Sequence, residues 1–578
     1  MGNIGNENAV RRTGMPSHRA DTDKIRQSRV FQDLSGSSRQ QEHMDEASML
    51  RGAAGKIPHV CVVGAGVAGL RCADVLLQHG VQVTILEGRN RVGGRLCQSD
   101  AVGHLVDLGP NWIHGTDDNP ILDLAKETKT VTMNWDGRQS VFDSLGNHIS
   151  DKDAAENTEH VWTIIEQAMK LSNEETATIP AEKSLYNFFE EQVAKMFPAE
   201  VEGGKSEKAK KKQQTILQMA EMWGAFVGSP IQTQSLKFFW LEECIDGENL
   251  FVAETYQKVL AKIAEPALKG AAVLFDHKVK RIVSKEKEGV PRVTVEVEGK
   301  ESFEFDEVIV TAPLGWLKRN LGAFEPELPE RFKEAVGSIG YGHLDKVYIT
   351  FPKAFWNEFP SSTAATPTAF RDQSYPNVTT TTAPAHPPPD SPVDPKHYPG
   401  FTHWNSPSYA PLTNRSNWNQ EAVNLAALPS PTAHPTLLFY IFGPTSLHIA
   451  SLLRSSPQSS YTSLLTDFFE PYFSRLPGYD AKHDNCSPKG VLATAWANDE
   501  LAGYGSYSNF QVGLERGDED IEVMRQGVSE RGVWVAGEHT APFIALGTVT
   551  GAYWSGEGVG VRVVRAYGLG RDEVGGLE

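Results

Sequence analysis

"HVCVVGAGVAGLRCADVLLQHGVQVTILEGRNRVGGR", residues 59–95, is the stretch on which the fold turns. An apolar run from His59 to Val63 predicts a strand, and it runs into Gly64-Ala65-Gly66-Val67-Ala68-Gly69. Helical spacing then continues through Leu76 and Leu77 to a stop at Gly80. A second strand, Val81 to Leu86, ends in Glu87. The strand–helix–strand context makes this GxGxxG a dinucleotide fingerprint. Gly64 permits a tight turn, and Gly66 lets the backbone approach a pyrophosphate at the amide donors and dipole of the helix start. Gly69 allows close packing of helix on strand. Glu87 is placed to accept hydrogen bonds from both ribose hydroxyls. An acid there disfavours a 2′-phosphate, which argues against NADP.

The rest of the chain bounds the answer. At 578 residues it is too long for one core, so at least two domains are expected. A net charge of −18 argues against nucleic acid as a partner and suits a cationic substrate. Five cysteines, Cys61, Cys72, Cys97, Cys244 and Cys486, are scattered without a CxxC. No disulfide framework and no metal site are expected, and a reducing compartment is the default. Residues 1–56 are polar and read as a disordered tail, not a secretory signal. "MGNIGN" lacks the Ser or Thr of a myristoylation signal, having Asn6 instead, and the terminal "GGLE" is no peroxisomal address. No run of about 18 apolar residues occurs, so no membrane partner is expected. The expected location is the cytoplasm.

Two segments read as insertions. "EGGKSEKAKKKQQ", residues 202–214, is a basic run expected as a solvated loop, with a nuclear address as the alternative. Residues 360–433 are rich in Pro, Ser and Thr and are expected to bury little and form a long loop. Asn377 and Asn414 head glycosylation triplets that carry no weight without a secretory signal. In "GYGHLDKVYITFPKAFW", residues 340–356, the alternation of Val347, Ile349 and Phe351 predicts a strand with one buried face, headed by Lys346.

After Glu87, "RNRVGGR" supplies Arg89, Arg91, Gly94 and Arg95. The glycine pair and following arginine resemble the second fingerprint of FAD-dependent amine oxidases; Arg91 reads equally well as a surface cation. Near the other end, "GVWVAGEHTAPFIALGTVTGAYWSGEGVGVRVV" has a strand running into Gly537-Glu538, and then a helix opened by small residues at Gly547 and Thr548. The two blocks together resemble the flavin amine oxidase superfamily, as do "FDEVIVTAPLGWLKR" (305–319) and "DHKVKRIV" between them. The resemblance covers roughly residues 57–567. It implies an α/β fold: an FAD-binding Rossmann-like (GR2-type) domain from 57–130, 256–335 and 486–567, and a discontinuous α+β substrate-binding domain from 131–255 and 336–485, its mixed sheet flanked by helices. Residues 568–578 would be a tail. It also implies that Glu538 contacts the ribityl–phosphate portion of FAD and that Val279 supports the adenine.

The resemblance assigns roles at the flavin as well. "DKVYITF" resembles the family strand whose lysine holds a water near flavin N5, which carries that role to Lys346. "TAWANDELAGYGSYSNFQVG" resembles the family's Trp…Gly-Ser-Tyr-Ser stretch. Trp496 would lie by the flavin, and Tyr507 would be one wall of an aromatic cage. Monoamine oxidases place a flavin-linking cysteine where this chain has Ser506, so FAD is expected to be non-covalent. They place a second cage tyrosine where this chain has Thr548, which implies a wider mouth. "GPNWIHGTDDNP" (109–120) resembles the polyamine oxidase form of its segment, with Gly109 and Pro110 under the flavin, followed by Asn111 and Trp112. His114 would face the substrate tunnel as a neutral acceptor. Glu242, Glu243, Asp246, Asp117 and Asp118 are candidate anchors for a cationic substrate.

The resemblance therefore implies an oxidase of spermine, spermidine or their acetylated forms, with molecular oxygen as co-substrate. A histone-lysine demethylase of the same superfamily stays open, although the tail is too short and polar for that branch's helical N-terminal domain. An L-amino-acid or monoamine oxidase, and a flavin-binding scaffold without turnover, are the further alternatives.

Overall fold

The computed structural model describes residues 57–357 and 397–569, apart from 199, 202–203, 206 and 288–289. The expectations for 1–56, 358–396 and 570–578 lie outside the described residues. In chain order the strands of the two principal sheets are β1 (His59–Val63), β2 (Gln82–Leu86), β3 (Gln139–Phe142), β4 (Ala272–Leu274), β5 (Glu307–Val310), β6 (Leu344–Thr350), β7 (Phe401–Trp404), β8 (Gln420–Asn424), β9 (Thr436–Phe442), β10 (Gly490–Ala493) and β11 (Val533–Val535). The helices that bear on the argument are α1 (Val67–Gln78), α2 (Asp151–Glu175), α3 (Leu185–Met196), α4 (Glu207–Ala220), α5 (Gln257–Gly270) and α6 (Val549–Ala566).

The first sheet is five-stranded and parallel, in the order β4-β2-β1-β5-β11. Parallel sheets are covered on both faces, so their strands read as unbroken apolar runs. Residues 60–63 and 308–310 are accordingly buried, and they divide between two cores, one on each side of the sheet. On one side α1 packs between α5 and α6. A Cβ at Gly556 of α6 would stand 2.1 Å from the Ala68 carbonyl oxygen, so the two helices approach as closely as backbone allows.

The second sheet is six-stranded and mixed, in the order β10-β6-β9-β8-β7-β3. Only β7 and β3 pair in parallel. Helices α2, α3 and α4 form a separate apolar cluster beside it.

Four expectations need correction. Strand β6 is buried on both faces, not one. Val347, Ile349 and Phe351 enter one core and Tyr348 another, and Lys346 is third in the strand, not at its head. The proline-rich segment is not a loop throughout: its described part contains β7 and β8, two interior strands of the sheet. Composition averaged over the whole segment hid FTHW, with two aromatic residues, and EAVNLAAL, with six aliphatic ones. The basic run enters α4, whose lysines line an exposed helical face above buried Ile216 and Met219. Finally, β10 pairs with β6, so the residues just after 486 belong to the six-stranded sheet.

Candidate active site

A continuous cavity runs from the carboxyl ends of β1 and β2 to the six-stranded sheet. Its near end is built mainly from backbone. Gly64 has φ +107°, a conformation that favours glycine. Around Gly66 no atom lies within 4 Å of where a Cβ would be. Helix α1 starts there without a side-chain cap, and Gly66, Val67 and Ala68 line the cavity. Uncapped amides at a helix start favour an anionic group. Gly69 sits behind the loop: a Cβ there would stand 2.0 Å from the Gly64 carbonyl oxygen.

The Glu87 carboxylate is already engaged, accepting the Ala65 amide at 2.7 Å and the Arg89 amide at 2.8 Å. It therefore shapes the glycine loop, and a second lone pair on each oxygen remains for a ribose hydroxyl. Arg89 donates to Asp499 at 2.9 Å. Arg95 donates to the Ser506 carbonyl at 2.6 Å and to Glu538 at 3.0 Å, and the Ser508 hydroxyl donates to Glu538 at 2.6 Å. Burial works to raise the Glu538 pKa, but the Arg95 guanidinium, His539 and Ser508 outweigh it and hold the carboxyl below its ordinary range. Arg91 instead braces its own loop through the Val92 and Gly94 carbonyls.

Gly94, Gly109, Pro110, Asn111, Trp112, Val279, Gly547 and Thr548 all line the cavity with these residues. The Thr548 hydroxyl is taken up in capping α6, accepting the Gly551 amide at 2.9 Å. A bare helix start, glycines that expose backbone and a buried acid at the end of β2 fit a flavin dinucleotide.

The far end is built from side chains. Lys346 is 5% exposed, and its Nζ lies 5.8 Å from the centre of the Tyr440 ring. Burial pulls its pKa down, with Asp107 opposing; burial likewise pushes Asp107 up. Asp107 accepts from Gln98 at 2.6 Å. The neighbouring Asp345 fixes the strand against the Trp496 segment. Its Oδ1 accepts the Thr494 hydroxyl at 2.6 Å and the Trp496 amide at 3.0 Å, and its Oδ2 accepts the Ser446 hydroxyl at 2.6 Å. Trp496 and Tyr507 line the cavity, with the Tyr507 hydroxyl donating to the Phe226 carbonyl. Ser506 accepts the Leu344 amide at 3.0 Å.

Burial lowers His114 to about 4, against the opposing hydrogen bond to Asn249, so the imidazole is neutral at pH 7. Burial raises Glu242 to about 8. Both line the cavity. Asp117 and Asp118 are exposed, and neither they nor Glu243 or Asp246 are part of the wall.

Sequence reasoning missed Tyr440 and Glu421, which also line the cavity. The Tyr440 hydroxyl donates to Asn111 at 2.8 Å and accepts from Trp112 at 3.2 Å. For Tyr440 the available signal was a single hydroxyl-bearing ring inside the apolar strand TLLFYIF; Glu421, flanked by Gln420 in QEAVN, had none. Among the described residues no cluster of His, Cys, Asp and Glu is arranged to hold a metal ion, and no helix is long and apolar enough to cross a membrane.

Among curated proteins, the chain is 30% identical over 325 residues to "Probable polyamine oxidase 4" of Arabidopsis thaliana, covering 54% of this chain and 62% of that protein. It is 31% identical over 311 residues to "Lysine-specific histone demethylase 1 homolog 2" of Oryza sativa subsp. japonica, covering 52% of this chain and 38% of that protein. The chain thus spans less than two-thirds of the length of these relatives. A solved putrescine oxidase double mutant, redesigned in cofactor binding, shares the fold with a TM-score of 0.59 at 17% identity, covering 88% of this chain and 99% of that one. Residues 67–564 match the family described as "Flavin containing amine oxidoreductase", so the chain belongs to that family and its cofactor is FAD.

Proposed function

We propose that the chain is an FAD-dependent polyamine oxidase that holds FAD non-covalently and converts a polyamine, oxygen and water into an aldehyde, a shorter amine and hydrogen peroxide. One observation carries this reading: the cofactor cradle opens directly into a chamber in which buried Lys346 stands among aromatic and acidic side chains. The name of the Arabidopsis relative supports it. FAD, when bound, accepts the hydride equivalent from the carbon beside the amine nitrogen.

The chain's own residues do the rest. Trp112, Trp496 and Tyr507 wall the chamber against water and present ring faces to a cation. Neutral His114 accepts a hydrogen bond from the amine. Glu242, raised to about 8, presents its carboxyl to the amine, and in its ionised form it takes a proton from an incoming ammonium and leaves the nitrogen neutral. Lys346, its proton loosened by burial, holds a water and exchanges a proton with it. Ser506 offers no thiol for a covalent link.

The test is an amine panel. Purified holoenzyme is mixed anaerobically with spermine, spermidine, their N-acetyl forms, benzylamine, L-amino acids and a dimethyl-lysine peptide, and bleaching of the flavin band is followed. Rapid bleaching by polyamines is expected. Bleaching by the peptide alone, or by amino acids alone, rejects the proposal. Acid precipitation should leave the yellow colour in the supernatant; a yellow pellet rejects non-covalent binding.

A further inference from the structure

The cavity-facing side of the six-stranded sheet carries an ordered row. Lys346 on β6 is directly opposite Tyr440 on β9, Tyr440 is opposite Glu421 on β8, and Glu421 is opposite His403 on β7. Neighbouring strands lie about 4.8 Å apart, so Glu421 stands two steps, about 10 Å, from Lys346 across the sheet. Phe401, Tyr440 and Glu421 form this part of the cavity wall.

Three observations single out Glu421. First, the acid sits in an apolar setting: its side chain is 12% exposed on an interior strand, and the next two residues, Ala422 and Val423, pack into apolar cores. Second, it is poorly satisfied. His403 Nδ1 stands 3.4 Å from Glu421 Oε2, and neither that oxygen nor His403 Nε2 has a hydrogen-bond partner among the described residues. A buried carboxyl left in this state costs stability, and its presence calls for a reason. Third, the polar group between it and Lys346 is occupied, since the Tyr440 hydroxyl is held by Asn111 and Trp112. Glu421 is therefore the next open acceptor along the row. Burial alone accounts for its raised pKa, as expected of a carboxyl waiting for a cation.

We infer that Glu421 is a specificity-determining residue that binds a second, positively charged nitrogen of the substrate, about two strand spacings beyond the end of the row at which oxidation occurs, with His403 as its positioning residue. This rests on the amine-oxidase reading above and adds to it the substrate class: linear amines with a remote ammonium, in preference to monoamines or to amines whose remote end is a neutral amide.

The test uses holoenzyme and a homologous series of linear α,ω-diamines, each paired with the monoamine of equal length and with the mono-N-acetylated diamine. Wild type should show an optimum of kcat/KM at one diamine length. Glu421→Gln should lower kcat/KM for that diamine about 30-fold or more, mainly through KM, while the matched monoamine stays within about 2-fold. Glu421→Asp, which keeps the charge one methylene further back, should regain the diamine preference with its optimum moved to a longer chain. Equal losses on diamine and monoamine in Glu421→Gln overturn the proposal, as does a wild-type preference for the acetylated remote end. A wild type that oxidises no diamine or polyamine removes the polyamine-oxidase reading, and this inference with it. A diamine preference that survives in Glu421→Gln overturns this inference alone.

Discussion

The two ends of the cavity are made differently. The cofactor cradle is backbone: loop amides, glycines such as Gly69 and Gly109 without room for a methyl group, and carboxylates already satisfied by Ala65, Arg89, Arg95 and Ser508. The far chamber is side chain, and its titratable groups Lys346, His114, Glu242 and Glu421 are all displaced from their ordinary pKa values with burial as the largest cause, as is Asp107 behind Lys346. The difference teaches where each part can fail. A cradle of this kind fails by steric change and takes the fold with it. A chamber of this kind fails by chemical change and leaves the fold standing.

The sharpest break in that contrast would come at Gly69. An added methyl would meet the Gly64 carbonyl at 2.0 Å, so Gly69→Ala should cost about 3 kcal/mol or more and abolish flavin retention. The absorbance ratio of flavin to protein, with a thermal melt, decides it; a flavin-loaded variant melting like wild type contradicts the steric account. Next in size is Lys346→Met. Turnover should fall about 100-fold with flavin content unchanged, while apoprotein stability holds or rises because a buried ammonium has gone. Stopped-flow traces beside a melt show both, and unchanged turnover removes Lys346 from the chemistry.

A third, smaller effect concerns pH. Glu421 is raised from 4.5 to about 8, so its contribution to stability is complete below the lower value and is lost as pH rises through the upper one. His403 beside it is lowered from 6.5 to about 4, so its contribution is present above 6.5 and lost as pH falls through 4. The apoprotein melting temperature should therefore decline on both sides. Glu421→Gln should remove roughly 2 kcal/mol of the alkaline decline, the full shift being discounted because the cavity admits solvent. An alkaline limb of the same size in the variant refutes this. Smallest of all, Ser506→Cys weakens one acceptor to the Leu344 amide and should cost about 1 kcal/mol without altering flavin content. A larger change would mean that the cradle depends on side chains more than the contrast allows.

The same contrast explains what could be read from the sequence. The parallel sheet and the residues of the glycine loop were legible because backbone approach restricts residue type at fixed spacing, as at Gly64, Gly66 and Gly69. Lys346, Trp496 and Tyr507 were singled out through resemblance, and all three line the cavity with His114. Glu421 and Tyr440 were not found, because cross-strand register brings them to Lys346 from strands far along the chain. Nothing local marks such a meeting, and β8 was hidden in a segment judged on its overall proline content.

The place of β11 and α6 in the first sheet and its helical layer has a consequence for synthesis. The glycine loop leaves the ribosome long before the strand and helix that close around it. At about 5–20 residues per second, the interval is roughly 25–90 s. Throughout it, the nascent chain carries a nucleotide fingerprint without Glu538 or the Gly547–Thr548 turn. The cradle is therefore incomplete until β11 and α6 have been made. A product truncated anywhere before β11 keeps a recognisable FAD motif and lacks the means to close over FAD.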